Sequence, residues 1–306
     1  MFPYAKRQDS VSVFIEDRIF TVKSTESHFE EVLQAIKDED SEKVKHLVDR
    51  VSLYEEFCKD SPITIKGGFI IDDEYIPTAL SNKIIDLKDN GFSIDPFVNF
   101  WRLLKKNLYP HCVNQLYNFI ESGDWCIFPN GRILAYKAVY LNPYKGQDLT
   151  DDKIKSLKNS QTARMDISFE DYKKALKEKT YIDIHSGSVP QDIGDTVEVF
   201  RYQVDDNPDA FCSKGLHVCL WDYAMSFGGS RSTILNVSVS PEDWVSVPSD
   251  NTQKARVSKY TIQSVNTNSR AYNSAVAPEE TSYSYKDYWG YEDDEDDDED
   301  TEFESW

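Results

Sequence analysis

Residues 11–22 alternate apolar and polar positions, and the alternation breaks around Glu16-Asp17. A period of 2 predicts two short strands joined there. Ser24 reads as a helix cap, with Glu26 and Glu30 near the dipole end that favours negative charge. Phe29, Val32, Leu33 and Ile36 then recur as the stripe of an amphipathic helix. A second helix is predicted after Ser41, with Val44, Leu47, Val48 and Val51 on one face. Residues 63–76 read as a hairpin around Lys66-Gly67-Gly68, and a short helix over 79–87 stops at Asn90-Gly91.

Residues 96–123 read as a helical pair. Pro96 sits in a first turn, Phe97, Phe100, Trp101 and Leu104 form one stripe, and Pro110 opens the second helix. From Trp125 the period changes. Residues 125–128 and 132–139 flank Pro129-Asn130-Gly131, and Asn-Gly is the strongest short hairpin signal. Residues 150–178 form a charged helical insertion with Phe169, Tyr172 and Leu176 on its buried side. Strands are predicted at 181–184, 196–202, 216–219, 233–239, 244–247 and 256–262, with one helix over 221–227 ended by Gly228-Gly229. The fold class is therefore α+β. A small N-terminal unit with a hairpin spans 1–92, the helical pair 93–124, and a mostly β C-terminal domain 125–266. An acidic tail, expected to be disordered, spans 267–306.

Composition sharpens this picture at two points. A hydrophobic fraction of 40% is enough to build a core. The net charge of −20 is concentrated: residues 276–306 hold 14 acids and one base, or −13, leaving −7 for the rest. Sequence-independent nucleic-acid binding needs clustered Lys and Arg, so no direct nucleic-acid partner is expected. The tail combines the acidic run 292–300 with Tyr288, Trp289, Tyr291 and Trp306. It reads either as a solubilising segment or as a docking segment for a basic partner, with nucleic-acid mimicry as a third reading. Five cysteines without a disulfide spacing, no signal peptide and no apolar run of membrane length predict a soluble cytoplasmic protein with reduced thiols.

Candidate chemistry is sparse. Cys212, His217 and Cys219 form the tightest Cys/His cluster, but a fourth ligand would have to be the distant His185, and no metal is expected. Nucleophile elbows, Walker loops and dinucleotide fingerprints are missing. His185 and Ser186, read as strand neighbours, would point to opposite faces and could not pair. What remains is a split β region whose apolar strands carry polar residues: Lys137, His185, Arg201 and His217. Each is a candidate for a cleft, or a residue on the wet face of a half-covered sheet.

Several long stretches resemble a known family. FVNFWRLLKKNLYP, NGRILAYKAV, DIHSGS, GDTVEVFRYQVDDNPDAFCSKGLHVC, DYAMSFGG and VSVSPEDWVSVPSDNTQKARVSKYTI, in that order between residues 97 and 262, resemble the RIIB proteins of large tailed phages. The resemblance implies an early, non-enzymatic protein that acts with a larger RIIA-like partner in lysis control and in protection against prophage-mediated exclusion. A host protein could be a further partner. It implies a place in the host cytoplasm, held peripherally at the inner membrane through the partner. A second, fold-level resemblance is to ADP-ribosyltransferases. GLHVCLWDYAMSFGG is similar to the strand and helix beneath their NAD cleft, and ILAYKAV to their first nicotinamide-pocket strand. That implies NAD as an alternative ligand, Tyr136, Lys137, His185 and His217 as candidate catalytic residues, and Arg201 and Ser186 as candidate ligand contacts. The Glu of that family is missing from residues 250–256, which implies an inactive or repurposed pocket.

Overall fold

The computed structural model describes residues 2–266 except 16, 27, 124 and 161–164, together with residues 276 and 277. The tail residues Tyr288, Trp289, Tyr291 and Trp306 lie outside the described residues. Of the tail predicted over 267–306 only residues 276 and 277 are described, and the expectation of disorder fails at Ala277, which is buried and donates its amide to the Ile127 carbonyl. The described chain is a mixed α+β fold that divides into two compact units.

The first unit runs to Arg102 and also takes in residues 129–131 and Val276. It starts with an antiparallel sheet of β1 (Tyr4–Lys6), β2 (Ser10–Ile15) and β3 (Arg18–Lys23), in that order. α1 (Phe29–Lys37) and α2 (Ser41–Val48) follow. Val11, Val13 and Val22 from the sheet are buried with Val32, Ile36 and Val44 from the helices. Burying each such side chain contributes on the order of 1.5–3 kcal/mol. The expected cap at Ser24 is not one. Its amide donates to the Asp9 carbonyl and extends the sheet, while the Glu26 carboxylate accepts from the Lys23 amide and closes a turn. The helix therefore starts four residues late. Its successor is capped by Asp40, whose carboxylate accepts from the Lys43 amide.

The stripe that ends at Val51 does not stay on one helix. Asp49 leaves helical geometry, and its buried carboxylate accepts from Arg18 of β3. α3 (Arg50–Cys58) starts anew, with Val51 exposed. The hairpin of β4 (Thr64–Ile65) and β5 (Phe69–Ile71) gains a third strand, β6 (Glu74–Tyr75). The turn into β6 uses Asp72 and Asp73, both at positive φ. Aspartate tolerates that region, but an Asp-Asp pair is a weak sequence signal for it. α4 (Thr78–Asp89) ends before Gly91 at φ +72°, and the unit closes within α5 (Asp95–Leu104).

The second unit is built on one large antiparallel sheet. α6 (Pro110–Glu121) precedes the central strand β7 (Ile133–Leu141). The insertion forms α7 (Asp151–Asn159) and α8 (Phe169–Glu178), capped by Thr150 and Ser168. Tyr172 and Leu176 are fully buried there, with Phe169 packed against them. Then come β8 (Tyr181–Asp183), β9 (Pro190–Gln191), β10 (Thr196–Glu198), β11 (Leu216–Cys219), α9 (Trp221–Gly228) and β12 (Thr233–Val239). β13 (Trp244–Ser246), β14 (Lys254–Val257) and β15 (Lys259–Asn266) complete the sheet. Its order is β10-β15-β12-β7-β11-β14-β13, with β8 pairing with β7 and β9 with β8.

Two predicted strands are divided. Residues 256–262 turn a corner at Ser258, whose amide donates to the Asp243 carbonyl, so β14 pairs with β11 and β15 with β12. The strand predicted over 196–202 stops at Glu198, and residues 201–203 form a single tight helical turn. On the α6 side, Phe119 packs edge-on against Trp244 at 4.7 Å. Gln115 accepts from the Ser246 hydroxyl and the Val247 amide, both at 2.8 Å.

Candidate functional site

One edge of β7 is paired along its length by β12, with Leu235 opposite Lys137. Its other edge is shared. β11 meets it at Tyr136 through Cys219, and β8 meets it from Val139 onward through Asp183. Between those contacts, Lys137 and Ala138 have no ladder partner on that side, and the sheet opens. A pocket of about 620 Å³, counting its open mouth, occupies the split.

Lys137, His185 and His217 line this pocket, and the same three side chains line a smaller neighbouring hollow with Asp183 and Tyr260. Phe211, Tyr223 and Phe227 form apolar walls, with Tyr223 and Phe227 stacked at 5.8 Å. Cys212, Cys219 and Lys254 complete the polar lining, and no carboxylate belongs to it among the described residues.

Lys137 is 8% exposed. Its Nζ donates to the His217 carbonyl at 3.0 Å and lies 5.3 Å from the Tyr260 ring centre. Burial pushes its pKa down, with the Asp183 carboxylate opposing that shift. The His185 and His217 rings stand 5.0 Å apart. His217 is pushed down to about 3, first by burial and then by the Lys137 and His185 charges, so it is a neutral imidazole at pH 7. Cys219 donates to the Tyr136 carbonyl at 3.3 Å, and burial pushes its thiol up to about 12. It is therefore held protonated and cannot serve as a thiolate nucleophile at neutral pH.

His185-Ser186-Gly187 is not a strand segment. It is a turn after β8, held by Asp183, whose carboxylate accepts from the Ser186 amide and hydroxyl and from the Ser188 and Val189 amides. The turn directs His185 into the pocket, while Ser186 is taken up by Asp183 and by Ser188. Tyr136 belongs to a buried cluster with Cys126, Phe128, Leu134 and Ala224 and does not line the pocket.

Arg201 lies elsewhere in the same unit. It donates to the Cys112 sulfur at 3.0 Å and lies over the Tyr109 ring at 4.4 Å. Cys212, His217 and Cys219 share the pocket, but their ligand atoms do not close to metal-binding spacing. Among the described residues, the group that does is His111, Cys112 and Asp206, within 4.8 Å of one another. There the Arg201 guanidinium already occupies the sulfur, and His111 is bonded to Asp206 at 2.9 Å.

Sequence reasoning missed Asp183, Tyr260, Lys254 and the aromatic walls. Asp183 had a weak signal in its residue type, since aspartate side chains bond nearby backbone amides in turns. Lys254 and Tyr260 had none, because they sit in strands like ordinary sheet residues, and the aromatic walls, Phe211 in a loop and Tyr223 and Phe227 on α9, read as ordinary apolar positions.

Fold and site together define an α+β protein whose C-terminal unit is a split antiparallel sheet around a cationic cleft. The family described as Bacteriophage T4 protein rIIB has a model that matches residues 166–271. Protein rIIB of Enterobacteria phage T4 is 25% identical over 241 residues, 78% of this chain and 65% of that protein. The chain thus spans just under two thirds of the length of that curated relative. No solved structure matches the chain. Both comparisons support the resemblance to the RIIB family.

Proposed function

We propose that this chain acts early in phage infection together with a RIIA-like partner, in lysis control and in protection against prophage-mediated exclusion, through binding and without catalysing a reaction. The observation that carries this reading is the similarity to T4 protein rIIB over 241 residues. No helix of the described residues is long and apolar enough to cross a membrane. In this proposal membrane attachment comes through the RIIA-like partner.

The test is affinity purification of the tagged protein from infected cells, beside a version ending at Thr267, with soluble and membrane fractions analysed by mass spectrometry. A RIIA-like protein recovered in the membrane fraction supports the reading, and its loss on truncation assigns the tail to docking. Recovery of no phage or host protein by either version overturns it.

A further inference from the structure

The pocket contains polar groups that the fold itself leaves unused. An ammonium has three N–H donors, and Lys137 spends one on the His217 carbonyl. Its other neighbour is the ring face of Tyr260, and no further acceptor reaches it among the described residues. The imidazoles of His185 and His217 have no hydrogen-bond partner among the described residues either. Buried polar groups are nearly always paired, because each unsatisfied one costs about 1–3 kcal/mol. Of the three, Lys137 is buried, His217 is half-buried and His185 is exposed at the mouth, and all three line one cavity.

The charge pattern is equally specific. In a chain of net charge −20, this cavity is lined by two lysines and two histidines and by no acid. Lys254, at the side, is already neutralised by Asp250 at 2.9 Å, which leaves Lys137 as the buried positive centre. The opposite walls are apolar and aromatic: Phe211, Tyr223 and Phe227. Tyr223 and Phe227 stack on one another with ring planes within 14°.

We propose that this pocket binds a small organic anion, a carboxylate or a phosphomonoester borne on a flat apolar body, with the anion on Lys137, His185 and His217 and the body against Phe211, Tyr223 and Phe227. The anion accepts from the free donors of Lys137 and from ring N–H groups of the two histidines. The body is held by the aromatic walls. The pairing between Lys137 and the ligand charge takes place largely out of water, where it is strengthened.

The probes are benzoate, phenyl phosphate and the neutral benzamide, titrated into the full-length protein up to about 10 mM, the range of weak single-ring ligands. The readout is the ring C–H NMR signals of the five histidines. Saturable shifts of His185 and His217 with benzoate or phenyl phosphate are expected, with His28, His46 and His111 unmoved. The preferred probe identifies the anion as carboxylate or phosphate. Lys137→Met keeps the apolar stem and removes the charge, and is expected to weaken binding at least tenfold. Lys254→Met, in which the histidine signals also report folding, is expected to weaken it less. Equal binding of benzamide, unchanged affinity in a folded Lys137→Met protein, or no selective shift with either anion overturns the proposal.

Discussion

His217 offers a direct test of how the cleft is built. It lies on β11, facing Lys137 on β7, His185 in the turn after β8, and Arg256 and Lys254 on β14. All four neighbours disfavour a proton on the imidazole, and burial disfavours it more. The folded-state pKa is about 3 against an ordinary 6.5. Below pH 6.5 the unfolded chain takes up a proton that the folded chain refuses, so stability falls as pH drops from 6.5 towards 3. The full difference corresponds to about 5 kcal/mol at 1.36 kcal/mol per unit, and by pH 5 about 2 kcal/mol is already lost. His217→Gln removes this titration and leaves every other group in place. Urea unfolding of both proteins at pH 8 and pH 5 is the assay. The wild type is expected to lose about 2 kcal/mol more than the variant over that interval, which is a midpoint difference of about 1 M at an ordinary slope. An NMR titration of the His217 ring proton is expected to stay flat over the same range. A stability difference that does not change with pH, or a ring signal with a midpoint near 6.5, refutes the argument.

Lys137→Met is expected to stabilise the unliganded protein by about 1–2 kcal/mol at pH 7, because a buried charge is replaced by an apolar chain of similar shape; a lowered melting temperature counts against the buried-ammonium reading. Arg256 is fully buried and donates to the carbonyls of Asn207 and Ala210 and to the Ser246 hydroxyl. Arg256→Met strands those acceptors and is expected to cost about 3 kcal/mol or more by denaturant melt. Of the five cysteines Cys212 alone is exposed, and burial pushes Cys58 and Cys219 up to about 11 and 12. A thiol reagent at pH 7.5 is therefore expected to modify Cys212 first and alone in the native protein, as peptide mapping would show.

The local elements were legible in the sequence wherever one short-range signal decided them. β11 and β12 fall on the residues that alternation predicts, and α9 extends one residue past its predicted end. Where a distant partner competed, local reading failed. Ser24 was drawn into the sheet by Asp9, Asp49 broke a helical stripe by meeting Arg18, and Ser258 turned a strand by bonding Asp243. Each is a side-chain or backbone group whose best hydrogen bond lies far along the chain, and periodicity carries no information about that.

The cleft shows the same division. Composition and alternation alone established an α+β chain with an acidic end and marked Lys137, His185 and His217 as polar residues in apolar surroundings. Only the tertiary structure decided that these three meet while Tyr136, Ser186 and Arg201 do not. The reason is the split edge of β7: β8 and β11 pair with the same strand at different points, and the gap between them gathers residues 48 and 80 positions beyond Lys137. Strand pairing is long-range, and it alone set which polar side chains share a cavity.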